Sequence, residues 1–186
     1  MNRQSRNVLS LVLLLSLLLG ACATVGALLG DQVTFTALQL QQQLDRRFPR
    51  DYTKLGGLVG VRVFNPRLSI PAGRGRLQLD FDVGVARAGG QVDTPAGRFA
   101  VSSGLRFDAA KRGLMLDAPS LERIDVPGLG GGSSDAAREL INLWLADWAR
   151  EEPVYRFDDG LMQTLAARRI GSTSIGNGLV TLHLDQ

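Results

Sequence analysis

Residues 77–85, LQLDFDVGV, alternate strictly: Leu77, Leu79, Phe81, Val83 and Val85 on one side, Gln78, Asp80, Asp82 and Gly84 on the other. Period two is the signature of a half-buried strand. The same alternation recurs in residues 58–70 (LVGVRVFNPRLSI, interrupted at Asn65-Pro66), in 98–107 (RFAVSSGLRF), and in GLMLDAP and LERIDV after them. The links AGRG, ARAGG and AAKRG are turn-like. Successive strands, short links and one apolar face predict an antiparallel meander. Its strands are long, and long strands curl.

Helical periods flank this region. QVTFT, residues 32–36, predicts a short strand. Thr36 and Gln39 then form a capping-box pattern before ALQLQQQLDRRF. Leu40, Leu44 and Phe48 make one narrow stripe, and Pro49 ends the helix. Residues 133–152, SSDAARELINLWLADWAREE, predict the main helix, capped by Ser133 or Ser134 and stopped by Pro153. At ~100° per residue, Ala137, Leu140, Ile141, Leu143, Trp144, Leu145 and Trp148 spread over roughly 200°. A surface helix needs a stripe only somewhat over ~100° wide. Either a curled sheet or a bound apolar ligand would have to cover the rest. The chain continues with PVYRF as a short strand. DDGLMQTLAARRI follows as a helix capped by Asp158 or Asp159 and closed by Gly171, and a last hairpin turns at Asn177-Gly178. The expected fold is α+β, a strongly curved antiparallel meander wrapped around one long C-terminal helix, with two shorter helices.

The N-terminus follows neither period. Arg3 and Arg6 precede VLSLVLLLSLLL, residues 8–19, and the small residues Gly20 and Ala21 end the run. A spanning helix needs about 20 apolar residues. This run is shorter and has the form of a secretory signal. The only cysteine, Cys22, comes directly after it. Leu19-Gly20-Ala21-Cys22 resembles the lipobox of bacterial lipoproteins. That resemblance implies cleavage between Ala21 and Cys22, and acylation of the Cys22 thiol and of the new amino group. Three acyl chains exceed the two signals needed for stable anchoring. Ala23, being other than Asp, resembles the outer-membrane sorting pattern of enteric bacteria. Residues 1–21 then form the signal peptide, 22–31 the lipidated cysteine and a short tether, and 32–186 one periplasmic domain.

Charge points away from nucleic acid once the signal is removed. The full chain carries a net +3. Without Arg3 and Arg6, 19 basic residues face 18 acidic ones. Lipidation of Cys22 leaves no thiol for a disulfide.

Little chemistry survives inspection. The Gly-rich stretch PGLGGGSSD, residues 127–135, lacks the Gly-Lys-Ser/Thr of a phosphate loop, and Asp135 would repel a phosphate. Asp80 and Asp82 share a strand face about 7 Å apart, but beside Gln78 they resemble an ordinary solvent face. His183 is the only histidine, which with no free cysteine excludes most zinc sites. No G-x-S-x-G elbow presents a serine to it. Glu151 and Glu152 are most simply solvated charges. No enzyme, metal or cofactor is expected.

One family has this order of segments. The lipobox and tether precede T-x-x-Q-L-x-x-x-L at 36–44. The meander and long helix lead into E-E-P-V-Y-R-F at 151–157. D-G-L-M-x-x-L-A follows at 159–166, and I-x-N-G-L-V-T-L at 175–182 closes the chain. The sequence resembles the YceB-like lipoproteins of Gram-negative bacteria. The resemblance implies a half of the tubular lipid-binding (TULIP, BPI-like) architecture, a curved sheet around a long helix, with Tyr155 packing the chain after the helix turns back. Two functions then compete. A carrier or sensor of a phospholipid or fatty acid would have a cavity lined by Phe81, Phe99, Phe107, Leu140, Trp144 and Trp148. An adaptor docking an envelope protein would have a filled interior. A cavity of ~300 Å³ or more favours the first; a dry core with an exposed apolar patch favours the second.

Overall fold

Leu77, Leu79, Phe81 and Val83 are buried along β5 (Leu77–Arg87), as the alternation predicts. The structure, a computed structural model, describes residues 28–29, 31–54, 59–87, 96–126, 132–166 and 168–185. Around β5 lie β3 (Arg50–Lys54), β4 (Val59–Ser69), β6 (Gly97–Asp108), β7 (Gly113–Asp125) and β8 (Tyr155–Arg156). They form one six-stranded sheet in sequential order, every pair antiparallel. The meander is as expected, and β3 adds an edge strand that the polar sequence RDYTK does not announce.

A second sheet corrects the expectation of one wrapped sheet. It has the order β1-β2-β10-β9, built from β1 (Leu28–Leu29), β2 (Gln32–Thr36), β9 (Arg169–Gly176) and β10 (Leu179–Asp185). β2, near the start of the fold, therefore pairs with β10, its last strand. β1 also takes in residues assigned to the tether. Asp31 is fixed too: its carbonyl accepts from Leu184 N–H at 2.8 Å, and its carboxylate lies 3.3 Å from Arg168.

Register shifts at β4 and along the β6–β7 pairing shape the large sheet. In β4 the register shifts between Phe64 and Arg67, with Asn65 at φ +49°, where the sequence reads Asn-Pro. Proline cannot donate to a ladder, so pairing breaks there. In β7 the expected two segments are one strand with irregular pairing. Ala118 sits at φ +44°, and Ser103 on β6 lies opposite. Ser103 is wholly buried, yet its hydroxyl faces the Gly104 and Asp117 carbonyls and accepts from Asp117 N–H at 3.1 Å. A serine in an inward row is tolerated because the bulge gives it partners.

The helices are α1 (Ala37–Asp45), α2 (Gly132–Glu151) and α3 (Asp159–Ala166). α1 has the predicted capping box: Gln39 N–H donates to Thr36 Oγ1 at 3.2 Å, and Thr36 N–H donates to Gln39 Oε1 at 2.8 Å. It ends before Phe48. Gln41 stitches α1 to the β4 bulge. It donates to the Pro66 carbonyl at 2.7 Å and accepts from Leu68 N–H at 2.7 Å. α3 is capped by Asp158, which accepts from Leu161 N–H at 2.7 Å. It stops short of Gly171, which belongs to β9.

The long helix is present, but between β7 and β8 rather than at the C-terminus, and its burial is one-sided. Ile141, Trp144, Leu145 and Trp148 are buried, Leu140 is half-buried and Leu143 is 47% exposed. The four buried residues span about 100°, an ordinary amphipathic stripe. The expected 200° cover is not required. The helix begins at Gly132, so Ser133 and Ser134 lie within its first turn instead of capping it; the side chains of Ser133, Ser134 and Ala137 are outside the described ones.

After α2 the chain turns back onto β7. Val154 N–H donates to Leu114 O at 2.7 Å and Phe157 N–H to Arg112 O at 2.8 Å. Tyr155 packs its ring 4.9 Å from Phe35, the structural role expected of it. The closing hairpin turns at Asn177 (φ +51°) and Gly178 (φ +75°), the left-handed pair a two-residue turn demands.

Candidate functional site

Aromatic side chains from three elements meet between α2 and the large sheet. Phe81 and Phe99 stack with centroids 5.1 Å apart, and Trp144 and Trp148 stack at 5.1 Å. Trp144 stands edge-on to Phe81 and to Phe99, each at 5.7 Å. Phe48 joins them, 5.2 Å from Phe81 and 5.7 Å from Trp148. Such edge-to-face and offset contacts add about 0.5–1.5 kcal/mol per pair beyond burial.

The six expected lining residues are therefore divided. Phe81, Phe99, Trp144 and Trp148 come together. Phe107 lies in a separate cluster, stacked on Phe157 at 5.5 Å, with Phe35 and Tyr155 beside it. Leu140 is half-buried one turn before Trp144. The four converging rings occupy the space they were expected to line, because they contact one another. Phe48 was missed as a member. Its place in the stripe with Leu40 and Leu44 was legible, but its approach to Trp148 depends on how the chain turns into β3.

At the edge of this cluster is an open cleft of about 200 Å³ over Phe48, Trp144 and Trp148. Its rim carries both signs of charge: Arg47, Arg50, Asp51, Asp147, Glu151 and Glu152, with Tyr52. Tyr52 on β3 donates to Asp147 on α2 at 2.8 Å. Arg50 binds Glu152 through both of its terminal nitrogens. Glu151 lies 3.4 Å from Lys111. The two glutamates are thus ion-paired, not merely solvated as expected. Arg47 donates to the Pro153 carbonyl. Burial, with the neighbouring Arg156 charge, pushes its guanidinium below the ordinary value, and Glu152 opposes this.

Asp82 corrects the reading of an ordinary solvent face. Its side chain is 7% exposed, 3.0 Å from Arg67 and 3.4 Å from Arg98, and it accepts from Asn65 Nδ2 at 2.9 Å. Burial pushes its carboxyl up, but the hydrogen bonds and both arginine charges outweigh this and hold it below the ordinary value. Asp80 contacts Gln78 at 2.9 Å and Arg123 at 3.5 Å. Both aspartates are thus engaged in ion pairs across the sheet, and the Asp82 carboxyl, held low, is not kept protonated as a general acid would be.

His183 Nε2 lies 2.9 Å from Ser174 Oγ, a cross-strand polar pair between β10 and β9. Among the described residues no group of three or more His, Cys, Asp or Glu could hold a metal, and no helix is long and apolar enough to cross a membrane. Cys22, the Ala21–Cys22 cleavage point and the Gly-rich stretch at 127–131 lie outside the described residues. No protein-family profile matches the chain, and no curated protein matches it.

Proposed function

We propose that this chain is a bacterial lipoprotein, cleaved after Ala21, acylated at Cys22 and held on the periplasmic face of the outer membrane. Its domain binds a lipid rather than catalysing a reaction. The observation that carries the ligand reading is the open cleft over Phe48, Trp144 and Trp148, which leads straight into the aromatic cluster. An acyl chain entering there would exchange ring–ring contact for ring–methylene contact, with ~0.8 kcal/mol for each CH₂ withdrawn from water. α2 is held to the sheet on one face only, so it can part from the sheet without breaking a second interface. The rim carries both charge signs within one cleft, which suits the zwitterionic head of a phospholipid better than the single charge of a fatty acid. The meander with a long helix on one face agrees with half of the tubular lipid-binding architecture, and with the resemblance to YceB-like lipoproteins.

The adaptor reading is favoured by one observation. The rings fill the space between sheet and helix, and the cleft, at about 200 Å³, is below the ~300 Å³ of a complete ligand pocket. Native mass spectrometry separates the two. The chain from Ala23 onward, without the acylated cysteine, is purified from a bacterial periplasm. A bound mass that extracts as phospholipid is the expected result. A bare polypeptide that stays bare after incubation with envelope phospholipids would overturn lipid binding and leave the adaptor.

A further inference from the structure

The path of the chain into the small sheet fixes which end of the domain lies nearest Cys22. β1 is antiparallel to β2, with Leu28 opposite Val33 and Leu29 opposite Gln32. The chain therefore enters β1 from the Thr36 end of β2 and runs away from it. At that same end Thr36 is paired with Leu179. Five residues separate Cys22 from Leu28, so the six Cα-to-Cα steps reach at most about 20 Å.

Two of the three large apolar side chains exposed among the described residues are at this end. Leu38, in the first turn of α1, is 66% exposed, and Leu179, the first residue of β10, is 36% exposed. The β4–β5 turn belongs to the same region. Gln41 bonds at Pro66 and Leu68, while Asp45 and Phe48 share a cleft with Phe64, Asn65 and Pro66. α1 thus runs back along β4, and its first turn points toward Ser69 and the turn beyond. That turn carries exposed Arg74. Scattered exposed leucines mean little alone. Here two of them and a cation lie at the end from which the anchored segment must come.

The geometry points to this end, Leu38, Leu179 and Arg74, as a membrane-contacting surface that rests on the lipid bilayer holding Cys22. The inference depends on the lipoprotein reading and is independent of any ligand in the cleft. The leucines enter the acyl boundary, and Arg74 meets anionic headgroups. Phe48 lies beyond the other end of α1, so the cleft sits away from the bilayer.

The test uses the full acylated lipoprotein in vesicles of phosphatidylethanolamine and phosphatidylglycerol. Cys22 is the only native cysteine, and acylation blocks it, so nitroxide labels attach only to introduced thiols. Labels go at Leu38→Cys, Leu179→Cys and Arg169→Cys. Arg169 pairs with Asp185 at the far end of the small sheet, about 20 Å away at ~3.3 Å per residue. Labels at 38 and 179 are expected to collide several-fold more with lipid-soluble oxygen than with a water-soluble nickel chelate, and the label at 169 the reverse. Leu38→Glu is expected to move the 179 label toward the aqueous pattern. All three positions are on the surface, and circular dichroism confirms folding. A 169 label deeper than the other two, or three equally aqueous labels on an acylated protein, overturns the orientation alone. A mass spectrum showing Cys22 without acyl chains overturns the lipoprotein reading, and this inference with it.

Discussion

Arg50 at the start of β3 and Glu152 just beyond α2 are 102 residues apart, yet they pair through two N–H···O contacts, one of 2.6 Å between Nη1 and Oε1. With Tyr52 and Asp147 they tie the edge of the sheet to the helix across the rim of the cleft. The pair is a third or more exposed on both sides, at 42% and 34%. Its contribution to stability is therefore about 0–1 kcal/mol. Arg50→Ala should lower the unfolding free energy in urea by less than ~1 kcal/mol and, under the proposed lipid binding, speed the uptake of phospholipid into the cleft. Both tryptophans of the chain line that cleft, so intrinsic fluorescence reads the binding directly. An unchanged uptake rate would show that this rim is not a gate.

Trp144 carries the helix–sheet contact. It is 8% exposed and touches Phe81, Phe99 and Trp148. Trp144→Ala should cost about 3–5 kcal/mol, the usual range for truncating a buried aromatic. The check is the urea midpoint followed by far-ultraviolet circular dichroism. A loss below ~1 kcal/mol would mean that the helix is not held by these rings.

Asp82 sets an acid limb to stability. Its folded pKa lies below the ordinary value of 3.8. The folded state therefore binds this proton more weakly than the unfolded state. The stabilisation is complete well above pH 3.8, and it is lost as pH falls through the folded value. Asp82→Asn should be less stable near neutral pH by about 1–3 kcal/mol, the worth of hydrogen bonds to a charged group. Its stability should then fall less steeply than the wild type's below pH ~4. Asp51 and Asp108 are also held low, by Arg62 and by the Lys111 amide respectively, so some slope remains. Identical acid limbs in chemical denaturation would refute the assignment to Asp82.

Gly113 opens β7 where the chain returns from α2. A Cβ there would run into the Tyr155 carbonyl oxygen and lie 2.8 Å from Pro153 Cβ. Both obstacles are parts of the return segment held by the Val154 and Phe157 hydrogen bonds. Gly113→Ala should destabilise by about 1–3 kcal/mol through overpacking, measured by thermal unfolding. A neutral variant would mean that the segment after α2 moves aside freely.

The large sheet was legible because its strands are half-buried. Leu77 to Val83 and Phe99 to Leu105 carry their face in a period of two, and that period survives any tertiary arrangement. The α1 cap was legible for the same local reason, since Thr36 and Gln39 act on each other three residues apart. β3 was not legible. RDYTK has no alternation to read, and it becomes a strand only because Val63 and Val61 offer it a pairing edge. The helix ends were overestimated at Phe48 and Gly171, where the chain leaves α1 to reach β3 and leaves α3 to enter β9.

By itself the sequence determined the α+β class, the sequential antiparallel order of the large sheet and four of the rings that meet beneath α2, Phe81, Phe99, Trp144 and Trp148. These depend on local period and on residue type. Tertiary structure alone decided that the first and last strands share a sheet of their own, that α2 is covered on one side, and that Asp82 is buried between arginines. Each of these depends on pairings between residues far apart in the chain. An apolar position marks a side chain able to be buried, and the packing partners decide whether it is. Leu143 and Trp144 are adjacent and both apolar; the sheet lies on only one side of the helix, so Trp144 is buried and Leu143 faces water.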